Sequence, residues 1–206
     1  MPPEIPQAQV FHSPAFLGVI QTALDFFKET PVHDLPPNLD FRGPGVYALY
    51  YHGDFPLYSR LVEINGKGYT HPIYVGKAVP PGWRTNRIQG TNKPVLKQRL
   101  REHSRTIDQC SNLNLEDFKC RFSILNGIES DLIGALEAEL IRHLSPVWNT
   151  CLDGFGDHDP GDKRYDGMHT EWDTLHPGRS WATRMRGEKR EIESIKRKVT
   201  EYLKQL

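Results

Sequence analysis

The 206-residue sequence lacks a long hydrophobic run, contains only three cysteines and carries no net charge. No apolar stretch approaches the roughly eighteen residues that a membrane-spanning helix needs. The N-terminal residues show neither the basic start nor the apolar run of a signal peptide. The cysteines are not spaced as a zinc or redox pair. These absences argue against a membrane protein and a disulfide-stabilised scaffold, and they predict a protein of the reducing cytoplasm.

The zero net charge results from blocks of opposite sign. Residues 77–105 carry eight basic and one acidic side chains, and residues 179–198 carry eight basic and three acidic ones. Residues 106–178, which separate them, carry five basic and fourteen acidic side chains. Two basic blocks around an acidic one predict a polyanion-binding surface with a cation site elsewhere. Any single block could equally be solvated surface.

Hydrophobic periodicity predicts a mixture of helices and strands. Helices are predicted at 14–29, 93–107, 130–144 and the C-terminus, and strands at 45–51, 56–64, 71–78 and 117–125. A long Gly- and Asp-rich loop is predicted at 151–182. The predicted fold class is α+β: a small antiparallel three-stranded sheet flanked by helices, with inserted loops and N- and C-terminal helical extensions.

Two of the predicted helices carry charged side chains on their apolar faces. In the helix at 95–107, Arg99 and His103 fall within the apolar stripe, and in the helix at 131–144 the same is true of Glu137. Burial of a charged group without a partner is costly, so Arg99 should face a cleft or an anion, and Glu137 should find a partner inside the protein. A structural salt bridge between Glu137 and Arg99 or His103 would explain the pattern without any function. A site for an anion, a cation and a proton-transfer group would also explain it.

Motifs that follow in order along the chain resemble those of the GIY-YIG nuclease family. GVY at 45–47 and YVG at 74–76 resemble the two halves of its signature. LKQRLREH at 96–103 resembles its helix with Arg and His four residues apart. LEAELIRHLSPVWN at 136–149 resembles its helix with Glu twelve residues before Asn. Either tripeptide alone is common, but the ordered set is specific.

The resemblance implies one domain over residues 1–206. Its catalytic core would span 44–150, with an N-terminal helical extension at 1–43 and a C-terminal loop and helix extension at 151–206. Two departures from the usual pattern stand out. The signature halves are separated by 26 residues, more than a simple hairpin needs, and a basic loop follows at 79–93. Both additions resemble the type II restriction endonuclease branch, and within it enzymes that cut CCGCGG.

The resemblance also implies a set of catalytic residues. These are Tyr47, Tyr74, Arg99, His103, Glu137 and Asn149. The two tyrosines would place hydroxyl groups from adjacent strands in the site, and Tyr47 would hold or deprotonate the attacking water. A free tyrosine titrates near pH 10, so His103 and a metal would assist it. Without the resemblance, both tyrosines would be interpreted as ordinary strand core.

The remaining implied roles concern charge. Arg99 would stabilise negative charge on the phosphate in the transition state. Glu137 would bind one divalent ion per active site, Mg²⁺ with Mn²⁺ as a substitute, because a single carboxylate with waters and phosphate suits this ion. Asn149 would orient neighbouring groups.

Side chains that read phosphates and base edges predict the DNA contacts. Most lie in the basic loop, and three lie around Trp181 in the C-terminal segment. Lys77, directly after YVG, could be a plain surface lysine instead. The predicted DNA-binding residues are Lys77, Trp83, Arg84, Asn86, Arg87, Gln89, Asn92, Lys93, Arg179, Arg184 and Arg186.

The predicted function is that of a type II restriction endonuclease, which hydrolyses phosphodiester bonds of double-stranded DNA at a palindromic GC-rich site. A palindrome cut by one active site per chain implies a two-fold homodimer. A cognate DNA methyltransferase is then expected in the same host. The alternatives are a repair or mobile-element nuclease, a catalytically inactive DNA-binding module, and a small-molecule enzyme with a chance resemblance.

Overall fold

The computed structural model describes residues 11–83 and 92–206. The helices within these ranges are α1 (Pro14–Glu29), α2 (Ser59–Asn65), α3 (Val95–Asp108), α4 (Ile133–Leu144), α5 (Val147–Thr150), α6 (Glu171–Leu175) and α7 (Ile192–Leu203). The strands are β1 (His33–Asp34), β2 (Gly45–Tyr51), β3 (Tyr74–Ala78) and β4 (Phe118–Ile124). No helix in these described ranges is both long and apolar enough to span a membrane.

The four strands form one antiparallel sheet in the order β1-β4-β2-β3. The central strand β2 is buried along its whole length because helices cover both faces of the sheet. Its alternate residues therefore enter two different cores. The register places Tyr47 opposite Gly76 of β3 and opposite Phe122 of β4.

The two cores contain different helices. On one face, Tyr47 and Leu49 pack with residues of α3, α5 and α7. On the other face, Val46 and Ala48 pack with residues of α1 and α4. The sheet is thus the middle layer of three, and the two helices with charged residues on their apolar faces, α3 and α4, lie on opposite sides of it.

The α+β class is confirmed, but two details of the predicted sheet are wrong. Residues 56–64 form a 3₁₀ turn followed by α2, not a strand. The buried positions here are Tyr58, Leu61 and Asn65, whose spacing matches one face of a helix. The sheet also has four strands rather than three. Besides β2 and β3 it contains β4, which lies beside β2, and the two-residue β1, which pairs with β4 at the edge.

The segment at 151–182 is more structured than the predicted loop. It contains α6, and it buries Phe155 and Trp172 in the core beneath α5 and α7. Aromatic burial of this kind removes the segment from solvent and fixes its path. That path brings it to the catalytic residues predicted from the core motifs.

Candidate active site

The buried residues Tyr47 and His103 and the partly buried Tyr74 form one cluster on the α3 face of the sheet. Tyr74 lies two residues before Gly76, so the register makes it a diagonal neighbour of Tyr47, with ring centroids 6.2 Å apart. Nε2 of His103 lies 2.6 Å from the Tyr47 hydroxyl. The imidazole centroid is also 5.3 Å from that of Tyr74. The prediction that His103 is buried on the inner face of α3 is confirmed.

Burial determines the charge states of this cluster. It raises the pKa of Tyr47 well above its usual value, an effect that the neighbouring Arg99 guanidinium partly offsets. Burial also lowers the pKa of His103 well below its usual value. Both groups are therefore neutral at pH 7. A neutral imidazole protonated on Nδ1 accepts the Tyr47 O–H at Nε2, which is the arrangement needed to take a proton from the phenol.

Arg99 lies one helical turn before His103 and borders the same cluster. Its Nη2 donates to the carbonyl oxygen of Gly156 at 2.9 Å, and its Nη1 donates to Glu102 at 3.0 Å. His158 Nε2 lies 3.3 Å from Nη1. The side chain is 17% exposed, so it is held by protein groups yet open on one side to a cleft.

Glu137 projects from α4 and forms an ion pair with Lys77 of β3. The partner of Glu137 is therefore not Arg99 or His103, the pairing that would have explained the charged residues without a function. The Glu137 carboxylate also acts to raise the pKa of both tyrosines, so it lies within electrostatic reach of their hydroxyls. Its side chain is 18% exposed. The carboxylate is therefore paired with a cation and still reaches solvent.

Asn149 secures the free edge of β3. Its side-chain oxygen accepts from the Val75 N–H and its amide donates to the Val75 carbonyl, both at 2.8 Å. Val75 lies between Tyr74 and Gly76, so this pair of bonds fixes the backbone that carries the second tyrosine. The contact suits the orienting role implied for Asn149.

Gly76 is required by the close approach of the two tyrosines. A β-carbon at this position would lie 2.4 Å from the Tyr47 hydroxyl and 3.0 Å from the Tyr74 ring. Neither ring can move away easily because Tyr47 is buried in the core and Tyr74 packs against it. The glycine therefore leaves room for the Tyr47 hydroxyl beneath the strand.

Gly76→Ala is expected to lower the rate of DNA cleavage by about ten- to a hundredfold by displacing Tyr47. Gly66→Ala is the matched control, since its β-carbon would come no closer than 3.5 Å to the groups around it. Single-turnover cleavage rates and melting temperatures of both variants test this. An unchanged rate for Gly76→Ala would show that the tyrosine position is not critical.

The predicted DNA-binding residues of the basic loop fall into three groups. Arg84, Asn86, Arg87 and Gln89 lie outside the described residues. Asn92 and Lys93 are exposed beside the start of α3. Trp83 is partly buried and packs against the α1–α4 core, so only part of its ring is available to a ligand.

The three arginines of the C-terminal segment that were predicted to bind DNA differ in placement. Arg184 and Arg186 are exposed and form ion pairs with Asp159 and Asp166. Arg179 is only 2% exposed, and it forms an ion pair with the buried Asp173. The protein encloses this guanidinium, which leaves almost none of it exposed to a DNA phosphate. The prediction that Arg179 contacts DNA is therefore corrected.

Sequence reasoning missed the residues that cover the cluster from the 151–182 segment. Phe155 stacks on His103, the Gly156 carbonyl accepts from Arg99, and His158 lies beside Arg99. The available signal was an aromatic residue between two glycines in an otherwise polar stretch. That signal does not reveal which surface the ring covers.

A comparison with protein-family models places the site in context. The model described as the Eco29kI GIY-YIG domain matches residues 39–203. This range includes every residue of the cluster, the whole sheet except β1, and the C-terminal extension through α7. No curated protein matches the chain.

Proposed function

Because the chain belongs to the Eco29kI GIY-YIG family, a family of restriction endonucleases that act on DNA, we propose that it is a type II restriction endonuclease. Its target would be a palindromic GC-rich site in double-stranded DNA, with CCGCGG as the specific candidate. The observation that carries this proposal is the convergence of Tyr47, Tyr74, Arg99 and His103, with Glu137 within electrostatic reach of both tyrosines.

The proposed mechanism assigns the proton transfer to the Tyr47–His103 pair. Tyr47 holds the attacking water, and its hydroxyl lies 2.6 Å from Nε2 of His103, which accepts the O–H when the neutral ring carries its proton on Nδ1. When the phenol passes its proton to the imidazole, the phenolate can accept a proton from the water. The water oxygen then bonds to phosphorus as the P–O bond to the leaving oxygen breaks, the leaving oxygen takes up a proton from solvent, and His103 releases one to solvent. Arg99, on the open side of the cluster, stabilises the charge that develops on the phosphate.

The residues near Glu137 fit a bound Mg²⁺ ion with few protein ligands. Among residues 11–83 and 92–206, no group of three or more His, Cys, Asp or Glu side chains is arranged to hold a metal. Mg²⁺ is commonly held by one or two carboxylates together with waters and substrate phosphate, and Mn²⁺ takes similar oxygen ligands. Glu137 would hold the ion, which when bound supplies Lewis-acid stabilisation of the phosphate. Lys77 would then release Glu137 and become available to a DNA phosphate.

The DNA surface is proposed to include exposed basic and polar side chains around the site. Lys77 lies beside Glu137, and Asn92 and Lys93 precede α3. Arg184 and Arg186 would exchange their aspartate partners for phosphates, because an exposed ion pair contributes little stability. Arg84, Asn86, Arg87 and Gln89 belong to the same proposal.

A homodimer is proposed because a palindrome presents two equivalent half-sites. A methyltransferase that protects the same site in the host belongs to this proposal.

The chain's three thiols, Cys110, Cys120 and Cys151, are all free and buried. Free thiols suit the reducing cytoplasm, where we place the protein.

Incubation with plasmid DNA and Mg²⁺ is expected to give discrete fragments, and EDTA is expected to abolish cleavage. A plasmid that carries CCGCGG, with a matched plasmid that lacks it, tests the specific site. Smearing or nicking would favour a repair or mobile-element nuclease. Intact DNA in all conditions would contradict both enzyme proposals and favour an inactive DNA-binding module.

A further inference from the structure

The segment Gly154–His158 lies across the buried cluster and touches several of its members. The Phe155 ring stacks on the His103 imidazole, with centroids 4.6 Å apart and planes 19° apart. The same ring meets Tyr74 edge-on at 4.8 Å. A β-carbon at Gly156 would lie 2.7 Å from the Tyr74 hydroxyl. The segment is therefore fitted closely to the cluster.

Arg179 holds this segment in place through its backbone. The guanidinium donates to the carbonyl oxygens of Gly154, Phe155 and Asp157 at 3.1 to 3.3 Å. It forms an ion pair with Asp173 at 3.2 Å, and its Cζ lies over the rings of Trp172 and Trp181, 4.5 Å and 4.9 Å from their centroids. Several charge-assisted bonds to one short stretch of backbone make its path rigid.

The stacked Phe155 ring restricts the orientation of the His103 imidazole and its contact with water. The ring prevents the imidazole from rotating away from the Tyr47 hydroxyl and excludes water from that side. The titratable groups that face His103 are Arg99 from its own helix and, from the C-terminal segment, Arg179 and His158. Positive charge on these groups opposes a charge on the imidazole and favours its neutral form, which has a free ring nitrogen to accept the Tyr47 O–H as a hydrogen bond.

We propose that Phe155 is a positioning residue for DNA cleavage, which holds His103 against Tyr47, and that Arg179 fixes Phe155 for this purpose. This inference rests on the proposed function, since it assigns Phe155 a part in the same proton transfer. The C-terminal extension is then a component of the active site rather than an appended element. Cleavage of plasmid DNA by the wild-type protein tests the proposed function alone. Substitution of Phe155 or Arg179 tests the positioning role, so the two proposals can fail separately.

The test is Phe155→Leu, which keeps an apolar side chain but removes the flat ring. The single-turnover cleavage rate is expected to fall by about ten- to a hundredfold, with DNA affinity unchanged, because the substitution misplaces a group that does not itself bind DNA. Phe118→Leu is the matched control. Phe118 is also buried against Trp148 but makes no ring contact with His103.

A spectroscopic measurement distinguishes positioning from a general loss of packing. In protein with ¹⁵N-labelled histidine, Phe155→Leu should shift the His103 ring resonances, whereas Phe118→Leu should leave them in place. Arg179→Lys supplies a second variant if Phe155→Leu does not fold. Lysine keeps the charge beside Asp173 but cannot donate to three carbonyl oxygens at once. Arg179→Lys should therefore lower the cleavage rate and shift the His103 resonances, as Phe155→Leu does.

Two results would overturn the inference. One is a cleavage rate for Phe155→Leu equal to that of the wild type. The other is an equal loss in Phe155→Leu and Phe118→Leu with no selective shift of the His103 signals. If the wild type itself does not cut DNA, the proposed function fails. The resonances of His103 still report whether Phe155 positions the ring.

Discussion

Glu137→Gln is expected to abolish cleavage, with a loss of at least about a thousandfold in the single-turnover rate at saturating DNA. Loss of a Lewis acid at the phosphate removes several kcal/mol of transition-state stabilisation, and each 1.4 kcal/mol is about tenfold in rate. Glutamine has the shape of glutamate, and the side chain is partly exposed, so the fold should tolerate the change. The amide, however, is a poor ligand for a hard cation and leaves Lys77 without its counter-charge.

DNA binding should survive this substitution, because Glu137 repels phosphate and removal of its charge does not weaken the basic surface. Fluorescence anisotropy in the absence of divalent ions measures the affinity. Glu139→Gln is the control, since Glu139 lies on the same helix but forms an ion pair with Arg142 away from the site. Normal cleavage by Glu137→Gln would contradict the assignment of Glu137 to the metal.

Tyr47→Phe is expected to lower the cleavage rate by about a hundred- to ten-thousandfold, the range of a positioned acid–base group. The substitution removes the hydroxyl that meets His103 at 2.6 Å and keeps the buried ring. Glu137, the proposed metal ligand, and Arg99 remain, so DNA binding should change little. The rate should therefore fall without a corresponding loss of affinity.

The fold contains an unusually close control for this experiment. Tyr58 is also fully buried, and its hydroxyl lies 2.6 Å from Nε2 of His176, with Trp148 donating to the same oxygen at 2.9 Å. Tyr58→Phe leaves two buried groups without a partner and should cost about 1–3 kcal/mol of stability. It should leave the cleavage rate of the folded protein unchanged. Equal losses of rate in both variants would show that the Tyr47 effect is structural.

The charged half of the site could be predicted from local sequence. The period of a helix is the same wherever it packs, so Arg99, His103 and Glu137 stand out on their helices before any neighbour is known. The buried position of His103 confirms this reasoning. Which partner each charge would find was not predictable. Glu137 pairs with Lys77, sixty residues earlier, and not with a group on α3.

The tyrosines required more than local sequence. Their approach depends on the register that sets Tyr47 opposite Gly76, and this register follows from how the intervening segment folds. The segment was predicted to contribute a strand at 56–64, and it contains α2 instead. A short apolar run satisfies either period, so only the packing of Leu61 and Tyr58 into the core decides between helix and strand.

The sequence by itself determined the main helices, the order of the motifs and the presence of charged groups on two buried faces. These features depend on residues three or four apart, whose relation is set by the helix itself. The tertiary structure alone decided that β4 lies beside β2, that Arg179 is enclosed and that Phe155 covers His103. Such contacts join residues far apart in the chain, and they are selected by the packing of the whole core, which no local pattern encodes.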